Sequence, residues 1–483
     1  MTYRERGAVF VRRCTPQLQL LCLLMVGGLE FLMVTVGDIH NYIAFVLLHK
    51  LILIPCLLFW LVTLVQASGQ RNRYNIGLAL AMAAWFLITE MQHRMAGMDD
   101  HTIGLVLSVY LLALPFCELT KDQSRQWGIR AMLSVFLAAS MVLLVYAALL
   151  IVDCVPAFLK DDLFWDGARL NAVTNPNISS RVFMIGIVGC LCFWNKTRKT
   201  WQKGLHAVMI AVLFSATALT NSRGTILITC LILAGTVFFS VYDGSWKRFF
   251  AGAAVGLLVL AVLFVSSQKL YDGNRDRLVE KVITEQHQEQ QSDKEESDAS
   301  QHTAQSASGS SSDEAEELTD REKNQILGTV NGQGSFSNDM GTFNGRTRIW
   351  RYTLEGMMKE PSMFLWGTDD SGQFGWADHT HNAWIETLVH MGIPGLLLSL
   401  VFTVQAVWSA ICLLWYPQVS LEKKIISMLA LGCLVSGVLE PFLFFTQDTW
   451  HFLDIMFFLC LGYMVQWRKN IHREKQETQN VSV

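Results

Sequence analysis

A chain of 483 residues has room for two or three soluble domains, but 52% of it is hydrophobic, 16% is charged and the mean hydropathy is +0.32. That balance excludes an ordinary soluble protein. The formal net charge of −3 is segregated by loop and carries no information about partners; no nucleic-acid partner is expected.

Apolar stretches near the length that crosses roughly 30 Å of hydrocarbon as helix recur along most of the chain. The fold class this implies is an all-α polytopic integral membrane protein. The sequence predicts about twelve spans, at about 18–36, 43–66, 76–92, 102–119, 128–152, 178–194, 203–220, 224–241, 248–267, 394–416, 424–446 and 451–467. Most of the eleven cysteines fall inside these stretches, among them Cys22, Cys56, Cys190, Cys192, Cys230, Cys433 and Cys460. They read as small packing residues, with no disulfide framework and no metal set.

The N-terminal segment, about 1–17, carries Arg4, Arg6, Arg12 and Arg13 and has no convincing cleavage site, so it is expected to stay uncleaved. Arg71 and Arg73, then Lys121 and Arg125, then Lys196, Arg198, Lys199 and Lys203, then Lys247 and Arg248, then Lys423 and Lys424 fall in alternate loops. The C-terminal tail, about 468–483, adds Arg468, Lys469, Arg473 and Lys475 to the same side. The positive-inside rule makes that side cytoplasmic, with both termini on it.

After spans 1–9 (about 18–267), two outward loops are long. The first, from Asp153 to about Asn177, contains WDGARLNAVTNPN; the second runs over about 268–382. Within the second, about 284–320 is low-complexity Gln, Ser, Glu and Asp without an aromatic residue, too polar to offset its ordering entropy, and disorder is expected there. A helix follows over about 347–359, ended before Pro361. The loop closes on DHTHNAWIETLVHMGIPG, Asp378 to Gly395, which places a polar His-Asn pair before a Gly/Pro break at the mouth of the tenth span. A membrane-proximal segment and spans 10–12 complete the chain over about 383–467.

Four residues stand out in outward segments otherwise poor in positive charge: Arg169, Arg223 in TNSRG, Arg346 and His381. Arginine suits a diphosphate, because its planar fork donates two parallel hydrogen bonds and stays protonated. Histidine suits a general base for an attacking sugar hydroxyl. Taken singly, Arg223 is equally an interfacial arginine snorkelling to head groups, Arg169 and Arg346 solvated loop charges, and His381 a helix-capping histidine. His379-Thr380-His381 beside Asp378 is a weak metal signal with no accompanying Cys or carboxylate cluster, and no metal is expected. Elsewhere, Glu30 and Lys50 are predicted to pair across the first two spans. Glu440 and Asp454 face outward and either line a cavity or bond between helices.

The run His381-Asn382, nine residues, then Gly392-x-x-Gly395 resembles the H-N-x9-G-x-x-G pattern of the bacterial O-antigen ligase and polymerase family. NSRG at Asn221–Gly224, GRTRIW at Gly345–Trp350, and GAR with NPN at Gly167–Arg169 and Asn175–Asn177 are similar to its other recurring pieces. The resemblance implies an inverting, metal-independent, cofactor-free membrane glycosyltransferase of the bacterial inner membrane, with its active site facing outward. Its donor would be an undecaprenyl-diphosphate-linked glycan, its acceptor a glycan or lipid-linked molecule. His381 would be the base, Arg223 and Arg346 would bind the diphosphate with help from Arg169, and Asn382, Glu386, Gly392 and Gly395 would support the site. Ligase, polymerase and protein-glycosylating relatives share this donor chemistry; a ligase or polymerase of cell-surface polysaccharide is favoured, without a choice between them. The competing class is a transporter or flippase of lipid-linked sugars, for which matching halves with broken helices are expected; the sequence has no such symmetry.

Overall fold

The computed structural model describes residues 20–36, 127–157, 163–166, 168–172, 175–300, 346–368, 380–440, 443–444 and 452–481, with positions 77, 80, 81, 84, 85 and 88 of a further helix. In chain order the elements are α1 (Leu20–Thr35), α2 (Trp127–Ile151), β1 (Leu163–Asp166), β2 (Arg169–Ala172), α3 (Pro176–Trp194), α4 (Thr200–Leu219) and α5 (Arg223–Val241). There follow α6 (Trp246–Ser300), α7 (Arg346–Lys359), α8 (Pro361–Trp366), α9 (Ala383–Trp415), α10 (Leu421–Leu439) and α11 (Phe452–Val481). Among the described residues, six helices, α2 to α6 and α9, are long and apolar enough to cross a membrane. The protein is a largely helical, multi-pass membrane protein.

The spans expected at 43–66 and 102–119, most of 76–92, and Lys50 of the expected ion pair lie outside the described residues; Glu30 is buried on α1. Helix boundaries and one loop bear on these expectations. α9 begins at Ala383, capped by Asn382, and is interrupted by non-helical backbone at Gly392 (φ 64°, ψ −167°), so its second, longer part starts close to the expected 394. α10 stops at Leu439, and Glu440 leaves it in extended backbone (φ −153°, ψ 154°). α6 runs unbroken past 267 to Ser300, into the stretch expected to be disordered, where Glu, Gln and Lys are good helix formers despite their polarity. The loop after α2 holds a two-stranded antiparallel hairpin, with Asp166 opposite Arg169 and Leu163 opposite Ala172, so the fold is not purely α. Asp166-Gly167 between short apolar runs is the hairpin signal in the sequence.

α11 lies at the centre. Phe452, Phe457, Phe458, Cys460 and Tyr463 are fully buried, with Phe402 of α9 edge-on to Phe458 at 5.5 Å. In lipid, helix association rests on close packing more than on the hydrophobic effect, and small residues mark the contacts. Ser140 of α2 donates to the Val182 carbonyl of α3 at 2.8 Å. A Cβ on Gly186 would lie 2.3 Å from the Ser140 hydroxyl oxygen, and one on Gly189 3.3 Å from the Leu133 carbonyl oxygen. Gly224, Gly235 and Gly432 do the same between α5 and α10, meeting Leu439, Met428 and Ile228.

The bundle has two chemically distinct ends. At one, buried Glu422 of α10 takes Arg130 (3.1 Å) and Lys196 (2.8 Å), tying the start of α2 to the end of α3. Lys424 lies over the rings of Phe239 (5.0 Å) and Tyr242 (5.9 Å) nearby. The opposite end, where α2, α4 and α10 finish and α3, α5 and α9 begin, carries the hairpin, α7 and the candidate site.

Candidate active site

Apart from Arg169 on β2, the polar residues of this layer stand where a helix begins or ends. Asn175 caps α3, accepting from the Asn177 backbone at 2.8 Å, with Pro176 at the first helical position. The NPN motif thus fixes Asn177 on the first turn. The Thr220–Ser222 turn, with Asn221 at φ 49°, feeds directly into α5 at Arg223. Asn382 caps α9, its side-chain oxygen accepting from Trp384 N (3.0 Å) and Ile385 N (3.1 Å), while its amide donates to the Val438 carbonyl (3.2 Å). His381, just before that cap, sits in the left-handed region at φ 52°.

These ends converge on Glu440, which is 6% exposed. Its Oε2 lies 2.9 Å from His381 Nδ1, and its Oε1 accepts from Arg346 Nη2 at 2.8 Å and from Asn177 Nδ2 at 3.2 Å. The Asn177 oxygen in turn accepts from Arg169 Nη2 at 3.1 Å, and Arg169 Nε donates to the Thr220 carbonyl at 3.0 Å. Burial pulls the Arg169 pKa below the ordinary arginine range; Asp166, Tyr271 and Glu440 oppose that, and the positive charge of Arg223 adds to it. Asn177 therefore joins two clusters, His381–Glu440–Arg346 and Arg169 with its neighbour Arg223. Four residues widely separated in sequence meet at one end of the bundle.

Beneath this layer Arg181 of α3 is buried, its Nε donating to Ser436 at 2.7 Å on the last turns of α10. Its positive charge lies within electrostatic reach of Glu440. Arg181 has no place in the sequence-based expectations, Asn177 enters them only within the NPN motif, and Glu440 is left there between lining a cavity and bonding between helices. An arginine inside the apolar run ISSRVFMIG is the signal that marks the first.

Glu386 is fully buried on the first turn of α9, accepting from the Thr380 backbone N–H at 2.7 Å and from His390 Nε2 at 3.2 Å. Gly392 sits at φ 64°, where a Cβ would lie 2.3 Å from the Leu365 carbonyl oxygen. Gly367, at φ 77°, makes the reciprocal approach to the His390 carbonyl. Only glycine fits both places, so α8 can lie directly across the bend of α9. Trp85 fastens the crossing, donating to the Met391 carbonyl at 2.7 Å and stacking on Trp366 at 5.3 Å. Gly395 lies just past the break, where a Cβ would lie 2.2 Å from the Met391 Cβ. Asp378 and His379 lie outside the described residues. Among the described residues, no group of three or more His, Cys, Asp or Glu is placed to hold a metal ion.

Residues 207–400, from α4 to the middle of α9, match the family model described as O-antigen ligase. Over those residues the chain is similar to the O-antigen ligase family. Arg223, Arg346 and His381 lie within the matched stretch, whereas Arg169, Asn177, Arg181 and Glu440 lie outside it. No curated protein and no solved structure is significantly similar to the chain. That similarity, with the membrane-crossing helices, supports a membrane enzyme of O-antigen or cell-surface glycan assembly.

Proposed function

We propose that this O-antigen ligase family protein is an inverting, metal-independent glycosyltransferase, moving glycan from an undecaprenyl-diphosphate-linked donor to a glycan or lipid-linked acceptor. The observation that carries the reading is the contact of Glu440 Oε2 with His381 Nδ1. A carboxylate there holds the proton on Nδ1 and leaves Nε2 as the basic nitrogen. The acceptor hydroxyl then attacks the anomeric carbon, its proton passes to Nε2, and the bond from that carbon to the diphosphate oxygen breaks. The lipid diphosphate departs with its negative charge against Arg223, Arg346 and Arg169, whose forks suit phosphate oxygens. General-base assistance of this kind supplies about 10²- to 10⁴-fold.

The bundle end rich in Lys and Arg is read as cytoplasmic, which puts residues 1–17 and 468–483 there and the site at the outer face of the inner membrane. The loop of about 268–382 then lies outside, with α7 carrying Arg346 back to the helix ends. Arginines gathered at one mouth, rather than along a central path, favour a transferase over a flippase.

The test is transfer in proteoliposomes from an undecaprenyl-diphosphate oligosaccharide, alone and with a lipid A core acceptor, with EDTA present. Chain growth from donor alone identifies a polymerase; product only with acceptor identifies a ligase. Equal product from wild type and His381→Ala in both mixtures overturns the transferase reading.

A further inference from the structure

Thr380 is 1% exposed and is held on every side. Its N–H donates to Glu386 Oε2 at 2.7 Å, its hydroxyl donates to that same oxygen with the Asn382 carbonyl 3.1 Å away, and its carbonyl accepts from Trp350 Nε1 at 2.8 Å. That carbonyl belongs to the peptide unit joining Thr380 to His381. Turning this unit is the same motion as turning φ of His381, which stands at 52°. A non-glycine residue at positive φ is strained and persists only where its surroundings hold it. The indole N–H of Trp350 holds one side of this unit; Glu386 and the Asn382 cap hold the segments before and after it.

We infer that Trp350, acting through the Thr380 carbonyl, is a positioning residue that sets the His381 ring against Glu440. The inference rests on the reading of His381 as the base. Trp350 lies one turn beyond Arg346 on α7, so the two share one face of a single helix. That placement supplies the discriminating readout. Loss of the indole hydrogen bond alone disturbs His381 and spares Arg346, whereas displacement of α7 disturbs both.

The experiment is steady-state transfer by full-length protein in proteoliposomes, comparing wild type, Trp350→Phe, Trp350→Ala and His381→Ala, with folded protein quantified for each. Trp350→Phe keeps the ring and removes the donor. It is expected to lower kcat about tenfold, the scale of one buried hydrogen bond, with the donor KM within about twofold. Trp350→Ala, which also removes packing from α7, is expected to raise the donor KM as well. Wild-type kcat in Trp350→Phe, or a parallel rise in its donor KM, overturns the positioning role. If Trp350→Phe yields too little folded protein, Trp350→Leu carries the same test, because it removes the same indole donor and leaves the Thr380 carbonyl in place. Full activity in His381→Ala defeats the base reading itself, whereas an inactive His381→Ala beside an unimpaired Trp350→Phe defeats the positioning role alone.

Discussion

Glu440 and His381 stand 59 residues apart in sequence and 2.9 Å apart in space, at the end of one helix and the start of another. The same carboxylate accepts from Arg346 at 2.8 Å through its other oxygen, so one buried charge serves both a basic ring and a guanidinium.

Glu440→Gln is nearly isosteric but presents an amide to Nδ1. The ring then protonates on Nε2, the nitrogen proposed to accept the substrate proton. The expected loss is about 10²- to 10⁴-fold in kcat, read as product per folded protein in proteoliposomes. Undiminished turnover by Glu440→Gln would remove the carboxylate from the mechanism.

Arg346→Lys keeps a positive charge and forfeits the fork, whereas Arg346→Ala forfeits both. Donor KM is expected to rise in both variants, more in Arg346→Ala, because a point charge cannot bridge phosphate oxygens as a guanidinium does. Titrating the donor at saturating acceptor measures this, and Arg223→Ala is expected to behave like Arg346→Ala.

Gly392→Ala combines positive φ with a Cβ thrust into the Leu365 carbonyl at 2.3 Å. The backbone alone costs about 1–3 kcal/mol, and the clash forces α8 off α9. Yield and melting temperature in detergent are both expected to fall well below wild type.

Glu422→Gln probes the far end of the bundle. It leaves Arg130 and Lys196 without their buried counter-charge, so the melting temperature is expected to drop by a few degrees. Transfer per folded molecule stays at the wild-type level, because nothing at the site end touches Glu422 among the described residues. A selective loss of turnover would show that the two ends are coupled.

Arg169, Arg223, Arg346 and His381 were legible in the sequence because each is an isolated charge or titratable group in a segment that otherwise lacks one. Their meeting point was not. Glu440 reads in sequence as one more acidic residue at the end of a span, and only the fold brings Asn177 and His381 to its two oxygens. The hairpin at 163–172 is four residues per strand, too short for periodicity to register. Gly392 was legible as a break but not as a crossing point, since its need for a bare backbone comes from Leu365. The helical course of α6 beyond 267 went unseen because low apolar content was weighed above the helix propensity of Glu, Gln and Lys.

At 55 residues, α6 is about 80 Å long, against roughly 30 Å of hydrocarbon. It enters near the Glu422 end and passes the hairpin, where Asn274 donates to the Ala168 carbonyl at 3.3 Å and Arg277 to the Ile151 carbonyl at 3.1 Å. The remainder stands clear of the bilayer like a post beside a doorway. Under the proposed function, a large glycan brought to the arginines would have that post along one flank, which would narrow the directions from which a growing polymer or a bulky acceptor can approach before a single sugar is recognised.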